Sequence, residues 1–209
     1  MDYAKKTSLT TVFIALIGFV STVTGTLSYP VYAASVEENR EKLLATKQCP
    51  ECDLQDVLLF KAHLKGANME GANLRGANLT SAHLEGANLT AAHLEHAVLQ
   101  VAYIEDARLE VAHLESANLR VAHMLRTNLT GANLTGANLE RVYLVEADLT
   151  GANLSNASIY GSNLTNAQLL GANIQDAYNV RAANFKGAKG LTPEQKKWLR
   201  EQGAVNVPD

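Results

Sequence analysis

A large aliphatic residue recurs at every fifth position from Leu54 to Ile174, twenty-five times in all and without an insertion. The residue two positions before each of these centres is nearly always alanine, as in Ala62 and Ala67. A helix repeats its apolar face about every 3.6 residues and a strand every 2, so a strict period of five fits neither. Such self-similarity is typical of a solenoid, whose units bury their apolar side chains only by stacking on each other. The sequence therefore predicts a rod.

Every five-residue unit must contain a turn. In the unit 132–136, Ala132 and Leu134 are two residues apart and can face inward together, as in a short extended segment, while Gly136 offers a permissive turn position. Two side chains of each unit then point inward and three point outward. Other compact residues are expected to fill the alanine slot at five places: Cys52, Val57, Thr127, Val142 and Ser162.

The A-N-L-x-G runs at 67–71, 72–76, 131–136 and 151–154 closely resemble the pentapeptide-repeat family, over about two thirds of the chain. The resemblance implies an all-β solenoid: a right-handed quadrilateral β-helix with four pentapeptides, hence about twenty residues, per coil. The centres then make roughly six coils, and a spacing of about 4.8 Å per coil gives a rod roughly 30 Å long.

A short capping α-helix is expected after the repeat, from about residue 193 to 202. Thr192 is placed as its N-cap, Pro193 at its first position and Gln195 for a capping box. Trp198 and Leu199 would lie over the open apolar end of the rod. They would cover edges that could otherwise pair with another chain.

A second short capping helix is expected at Val36 to Thr46, over the other end. Towards the C-terminus the period slips by one residue, with Val180 and Phe185 as centres, which marks a looser last coil. The predicted organisation is a signal peptide at 1–33, an N-terminal cap segment at 34–48, the β-helix at 49–190, the C-terminal capping helix at 191–203 and a tail at 204–209.

The first 33 residues have the features of a secretory signal peptide. Lys5 and Lys6 precede an apolar run at 9–20, and cleavage after Ala33 would leave small residues at the last and third-last positions. The apolar run is too short for a good membrane span. We therefore expect export with no stable membrane insertion after cleavage; an uncleaved anchor is the alternative.

Without that segment the chain has 16 basic and 20 acidic residues, a net charge of −4. This balance attracts neither nucleic acid nor anionic lipid. No stripe of basic residues with interleaved aromatics is present, so we expect no nucleic-acid partner.

Cys49 and Cys52 are the two cysteines of the chain and lie at the entrance to the repeat. In an oxidising compartment they are expected to form a local disulfide or a buried pair. Three functional roles for the cysteines are disfavoured. A thioredoxin-like redox role needs a βαβ context, which is absent from the predicted fold, and a haem attachment needs a histidine where Asp53 stands. A metal site needs further ligands, which the neighbouring residues do not supply.

The sequence carries no G-x-S-x-G, P-loop or H-E-x-x-H motif, and a rod with a filled interior offers no deep pocket. We predict a protein that is not an enzyme and binds no cofactor.

Five of the six histidines directly precede a centre and therefore point outward. Twenty residues per coil would stack His63 on His83 and His93 on His113, about 4.8 Å apart, close enough to share a metal ion or to repel when protonated. The alternative is that histidine simply replaces the usual asparagine on a solvated face.

Wrapping at twenty residues also predicts an apolar and aromatic patch on three adjacent coils. Such a contiguous patch indicates a surface for a partner or for self-association, and the alternative is a preference of these residues for a flat sheet face. The predicted partner-binding residues are Val101, Tyr103, Val121, His123, Leu125, Tyr143 and Val145.

Three functions follow from this reading. The first is a non-enzymatic, exported, rod-like scaffold that binds a protein partner of unknown identity; resemblance to the exported pentapeptide-repeat proteins of cyanobacteria and chloroplasts implies a thylakoid lumen or periplasm. The second is a DNA mimic that interacts with gyrase, as some family members do, although export, modest charge and scattered acids oppose it. The third is a lumenal protein that responds to pH or metal through its outward histidines.

Overall fold

Parallel β-bridges join each coil to the next at a spacing of twenty residues, as from Asp53 to Asn73 and from Asn73 to His93. The computed structural model describes residues 35–209, so the signal-peptide prediction lies outside the described residues. A spacing of twenty means that four five-residue units complete one coil. The bridging residues therefore form four columns, one on each side of the solenoid.

The sequence predicts an all-β solenoid, and the structure builds its sides from isolated β-bridges in place of strands. Within residues 35–209 each unit contributes one bridging residue and no longer strand forms. The reason is the turn that follows every centre: the Leu129 carbonyl accepts a hydrogen bond from the Ala132 amide at 3.0 Å, which leaves room for only one extended residue per side.

The third residue of nearly every such turn has left-handed backbone geometry. Gly131 has a φ of 66° there, and glycine adopts this conformation without steric cost. Many units place another residue at this position, including valine in three of them. The β-branched residues with positive φ in the described part of the chain are Val101, Val111 and Val121.

The interior of the solenoid is filled by the centres and the alanines, which are buried along its length. The compact residues predicted for the alanine slot are buried as well: Cys52, Val57, Thr127, Val142 and Ser162. The Thr127 hydroxyl donates to the Ile104 carbonyl at 2.8 Å. Because carbonyls of the preceding coil accept hydrogen bonds from the buried hydroxyls, burial of these hydroxyls costs little stability.

Helix α1, Val36–Thr46, lies at the N-terminal end. It begins with a capping box between Ser35 and Glu38, and it buries Leu43 completely in the core cluster. The side-chain nitrogen Nδ2 of Asn39 donates a hydrogen bond to the Asp53 carbonyl at 2.9 Å. The helix thus caps the first coil through both apolar packing and a hydrogen bond.

Helix α2, Pro193–Glu201, lies at the C-terminal end, with the predicted capping box between Thr192 and Gln195. The buried side chain of Gln195 also donates to the Ala172 carbonyl at 2.9 Å, which ties the start of the helix to the last coil. Leu199 is completely buried, whereas Trp198 is only partly covered. Neither α2 nor any other helix within 35–209 is long and apolar enough to cross a membrane.

The last coil contains the predicted slip. Ser158 bridges Asn179, one residue beyond the usual spacing, and Phe185 is buried as the shifted centre. Residues 204–209, which the sequence assigned to a tail, differ from that expectation, because Val205 bridges Asn184 and accepts a hydrogen bond from the Phe185 amide at 3.0 Å. The chain returns from α2 to pair with the exposed edge of the last coil.

Candidate protein-interaction surface

Five aromatic rings stack in one unbroken column on one side of the solenoid. His63, His83, Tyr103, His123 and Tyr143 occupy the bridging position of five successive coils. The centroids of neighbouring rings are 5.2, 4.8, 5.0 and 5.0 Å apart, and their planes lie within 20° of parallel. The sequence predicts His63 and His83 as candidate metal ligands, and it predicts Tyr103, His123 and Tyr143 as part of the partner-binding patch. The structure makes them one feature, which we term the aromatic column.

Aliphatic side chains lie beside the last three rings of the aromatic column. Val101 and Val121 lie at the turn before it, and Leu125 and Val145 follow the centres after it. Val101 is 39% exposed and Tyr143 46% exposed, while the other predicted patch residues are partly buried. The seven predicted partner-binding residues therefore form a contiguous, partly exposed apolar strip.

The valines of this strip have a strained backbone. Val101 has a φ of 55° and Val121 a φ of 61°, a conformation that costs about 1–2 kcal/mol per residue with a side chain and is an outlier for a β-branched one. Units elsewhere place glycine at the same position, for example Gly131. Val111, outside the strip, has the same geometry, so the strain belongs to the turn of the repeat.

Two carboxylates border the aromatic column. Glu85 Oε1 lies 3.3 Å from His83 Nδ1, and Glu105 Oε1 lies 3.9 Å from His123 Nδ1. The second oxygen of each carboxylate is buried and has no hydrogen-bond partner among the described residues. The surface beside the rings therefore carries negative charge that the protein itself only partly compensates.

The column ends in a shallow cleft of about 320 Å³ between the last coils. Arg141, Tyr143, Tyr160 and Gly161 line it. Sequence reasoning missed Tyr160. This residue directly precedes Gly161, which lies one coil after Arg141, so extending the predicted patch by one coil and one residue would have found it.

Another side of the solenoid holds the second predicted histidine pair. The rings of His93 and His113 stack at 4.7 Å, and one ligand atom from each of His93, Glu95 and His113 lies within 4.8 Å of the others. Among residues 35–209, His63 and His83 belong to no such group of three. The structure thus separates the four metal candidates into a pair with a carboxylate and a pair that belongs to the aromatic column.

The two cysteines are joined by a disulfide, Cys49–Cys52. Both are buried at the start of the first coil. Cys49 Sγ lies 3.4 Å from the Asn39 carbonyl of α1, so the disulfide is located where the N-terminal cap meets the solenoid.

The model of the family described as pentapeptide repeats matches the chain at residues 52–90, 107–144 and 143–189, with eight copies of the repeat. No curated protein matches the chain.

Among solved structures, the chain is similar to HetL, a pentapeptide repeat protein involved in the regulation of heterocyst differentiation in the cyanobacterium Nostoc. The two are 30% identical over 71% of this chain and 75% of HetL, with a TM-score of 0.59.

Two further structures show lower similarity. One is QnrB1, a plasmid-mediated fluoroquinolone resistance protein, with 20% identity, coverage of 71% of this chain and 77% of that one, and a TM-score of 0.38. The other is a pentapeptide repeat protein from the thylakoid lumen of Arabidopsis thaliana, with 22% identity, coverage of 60% and 81%, and a TM-score of 0.26.

Proposed function

The chain belongs to the pentapeptide-repeat family, and from this premise we propose that it is an exported, non-enzymatic rod that binds a protein partner through the aromatic column. Proteins of this family are right-handed quadrilateral β-helices and are generally structural or interaction modules. The observation that carries the proposal is the continuous stack of five rings from His63 to Tyr143, with aliphatic residues beside its last three rings.

The contrast with the other three sides supports this choice. Asparagine is the usual bridging residue there, and its side-chain oxygen accepts the amide hydrogen two residues on, as between Asn78 and Thr80 at 3.1 Å. Histidine and tyrosine give up that local hydrogen bond on five successive coils of one side. Apolar contact with another molecule offsets such a loss, because it removes ring edges and valine methyl groups from water.

Charge complementarity defines the chemistry of the partner. The carboxylates of Glu85 and Glu105 each keep one buried oxygen without a partner among the described residues. A partner surface that is flat and apolar at its centre and carries lysine or arginine opposite the partly exposed Glu85 and Glu105 side chains would complement both the rings and the negative charge. We therefore propose a protein partner of this kind, rather than a nucleic acid.

Export is supported by two independent features. Residues 1–33 have the pattern of a signal peptide, and the Cys49–Cys52 disulfide fits an oxidising compartment. A thylakoid lumen or a periplasm would provide both conditions. Processing can be measured on its own, through the mature mass of the protein and secretion of a reporter fused to residues 1–40.

The experiment that tests binding is a crosslinking pull-down of the tagged full-length chain from its native cells. The variant Y103S/L125S/Y143S removes the apolar centre of the column while keeping the repeat pattern. Its matched control, V111S/L170S/Y178S, removes three exposed apolar residues that lie outside the column, at 54%, 66% and 82% exposure.

We expect one crosslinked partner with the wild type and the control, and none with the column variant. Equal capture by all three proteins would contradict the proposal. If the only crosslinked species is a second copy of the chain, the column is a self-association surface. Unprocessed cytoplasmic protein that captures gyrase would instead favour the DNA mimic.

A further inference from the structure

Two identical H-L-E units, 93–95 and 113–115, lie one directly above the other on the side of the solenoid formed by the column Asp53 to Asn173. In each unit the histidine bridges to the neighbouring coil and the glutamate follows the buried centre. The coil spacing therefore brings two imidazoles and two carboxylates into one square. This side is separate from the aromatic column, so the inference below does not rest on the proposed partner.

The contacts within the square are short. His93 Nδ1 lies 3.2 Å from Glu95 Oε1, and His113 Nδ1 lies 3.6 Å from Glu115 Oε1. The two rings stack at 4.7 Å and are tilted by only 5°. Both Nδ1 atoms thus face the carboxylates, and the acceptor atoms of neighbouring coils converge on one small region of the surface.

The carboxylates of the square are not fully satisfied. Glu95 Oε2 and Glu115 Oε2 are buried, and neither has a hydrogen-bond partner within the described part of the chain. A buried acceptor without a partner costs stability. A cation bound beside these carboxylates would reduce the electrostatic cost of their partial burial.

Arg75 already places a positive group in this region. Its Nη2 atom lies 2.7 Å from His93 Nδ1 and 2.7 Å from Glu95 Oε1. Because a guanidinium only donates hydrogen bonds, His93 Nδ1 must accept, so its lone pair is directed at the Arg75 guanidinium. The two acceptors therefore point at a common position that suits a cation. The Arg75 side chain is 43% exposed and that of Glu95 is 17% exposed, so a metal ion must compete with a partly buried ion pair.

We propose that His93, Glu95 and His113 bind a divalent transition-metal ion of the zinc type, which displaces the Arg75 guanidinium. Imidazole nitrogen and carboxylate oxygen are ligands that zinc accepts in proteins, and three such ligands with water complete a tetrahedral site. Glu115 Oε1 lies 3.6 Å from His113 Nδ1, so its carboxylate adds negative charge beside the site.

The geometry requires only side-chain rotation. The three ligand atoms lie within 4.8 Å of one another, whereas two ligands of one zinc ion, each at about 2.0–2.1 Å from the metal, lie roughly 3.4 Å apart. His93 and His113 are partly exposed, so their rings can tilt towards each other without a change in the buried centres.

The aromatic column provides the contrast that tests the site. His83 also belongs to an H-L-E unit, and His63 stacks on it from the preceding coil. Among residues 35–209, however, these histidines and Glu85 do not form a group of three ligand atoms within 4.8 Å, as His93, Glu95 and His113 do. The proposal is therefore specific to one side of the solenoid, although both sides carry histidines.

The experiment is zinc titration of the tag-free full-length chain by isothermal calorimetry, with ZnCl₂ alone as the probe. The variant H113N removes one ligand and introduces the residue that follows in the same column at Asn133, so it is compatible with the fold. The control H123N makes the same change in the aromatic column. A third variant, R75Q, removes the competing cation. Circular dichroism checks that each variant is folded.

We expect one zinc site in the wild type, weakened on the order of tenfold or more by H113N, unchanged by H123N and tightened by R75Q. The Hε1 resonances of His93 and His113 should shift on addition of zinc, and that of His123 should not. Absence of zinc binding, or equal affinity in the wild type and H113N, would overturn the proposal. A stronger effect of H123N than of H113N would also overturn it, because it would place the metal on the other side.

Discussion

The guanidinium of Arg126 contacts both carboxylate oxygens of Asp106, with Nε and Nη2 each 2.7 Å from its oxygen partner. The two residues are twenty apart, so the pair links adjacent coils at an exposed corner. The hydrogen bonds from Arg126 hold the pKa of Asp106 below 3.8, its ordinary value.

This contact predicts a pH dependence. Because the folded pKa of Asp106 is the lowered one, its contribution to stability is fully present above about pH 3.8 and is lost as the pH falls through the folded pKa. In R126Q the pKa of Asp106 should return towards 3.8, which a titration of its carboxyl carbon by NMR measures. R120Q, which removes a looser pair with Glu140 at 3.9 Å, is the control. An unchanged Asp106 pKa in R126Q would contradict the assignment.

The strained valine at the edge of the aromatic column predicts that V121G stabilises the protein. Removing the left-handed strain gains about 1–2 kcal/mol, and the added freedom of glycine in the unfolded chain costs about 0.5–1 kcal/mol. The free energy of unfolding should therefore rise by up to about 1.5 kcal/mol in urea denaturation. V111G should behave alike, since Val111 has a φ of 50°.

Partner capture separates these two variants: V121G should weaken it and V111G should not, because Val111 lies outside the column. V142G is the stability control, since Val142 is completely buried and has no positive φ, so this variant should lose stability. Loss of stability in V121G as well would refute the strain argument.

Two glycines of similar backbone geometry should differ sharply on substitution by alanine. A Cβ at Gly190 would meet the backbone nitrogen of Leu170 and would lie 2.7 Å from its Cα, whereas a Cβ at Gly86 would meet nothing within 4 Å. We expect G190A to cost about 1–3 kcal/mol more than G86A, because the backbone next to α2 must move. Equal midpoints of thermal unfolding for G190A and G86A would contradict this prediction, because they would show that the last coil accommodates the added Cβ without loss of stability.

The Cys49–Cys52 disulfide closes a very short loop, so its contribution should be modest, about 2 kcal/mol. Dithiothreitol should lower the free energy of unfolding of the wild type by this amount and should leave C49A/C52A unchanged. Hydrogen exchange should locate the loss in α1 and the first coil, because Cys49 contacts the Asn39 carbonyl. A reductant without effect on the wild type would contradict a stabilising role.

The sequence by itself determined which side chains point inward. Period five places a centre such as Leu134 and a small residue such as Ala132 on the same side of a short extended segment, and only stacking can bury them. The helix signals at Thr192 and Gln195 were equally local, since a capping box needs only residues within one turn. These features depend on neighbours in the chain and could be read without the fold.

The number of units per coil came from resemblance, because nothing within a single unit records how many are needed to close a coil. The tertiary structure decided what depends on that closure: the union of His63 and Tyr143 in one aromatic column, the cation position that Arg75 fills beside His93, and the pairing of Val205 with Asn184. Each joins residues about twenty or more apart, so its geometry is set by the pitch and packing of the coils and by side-chain rotation, which a sequence period does not contain.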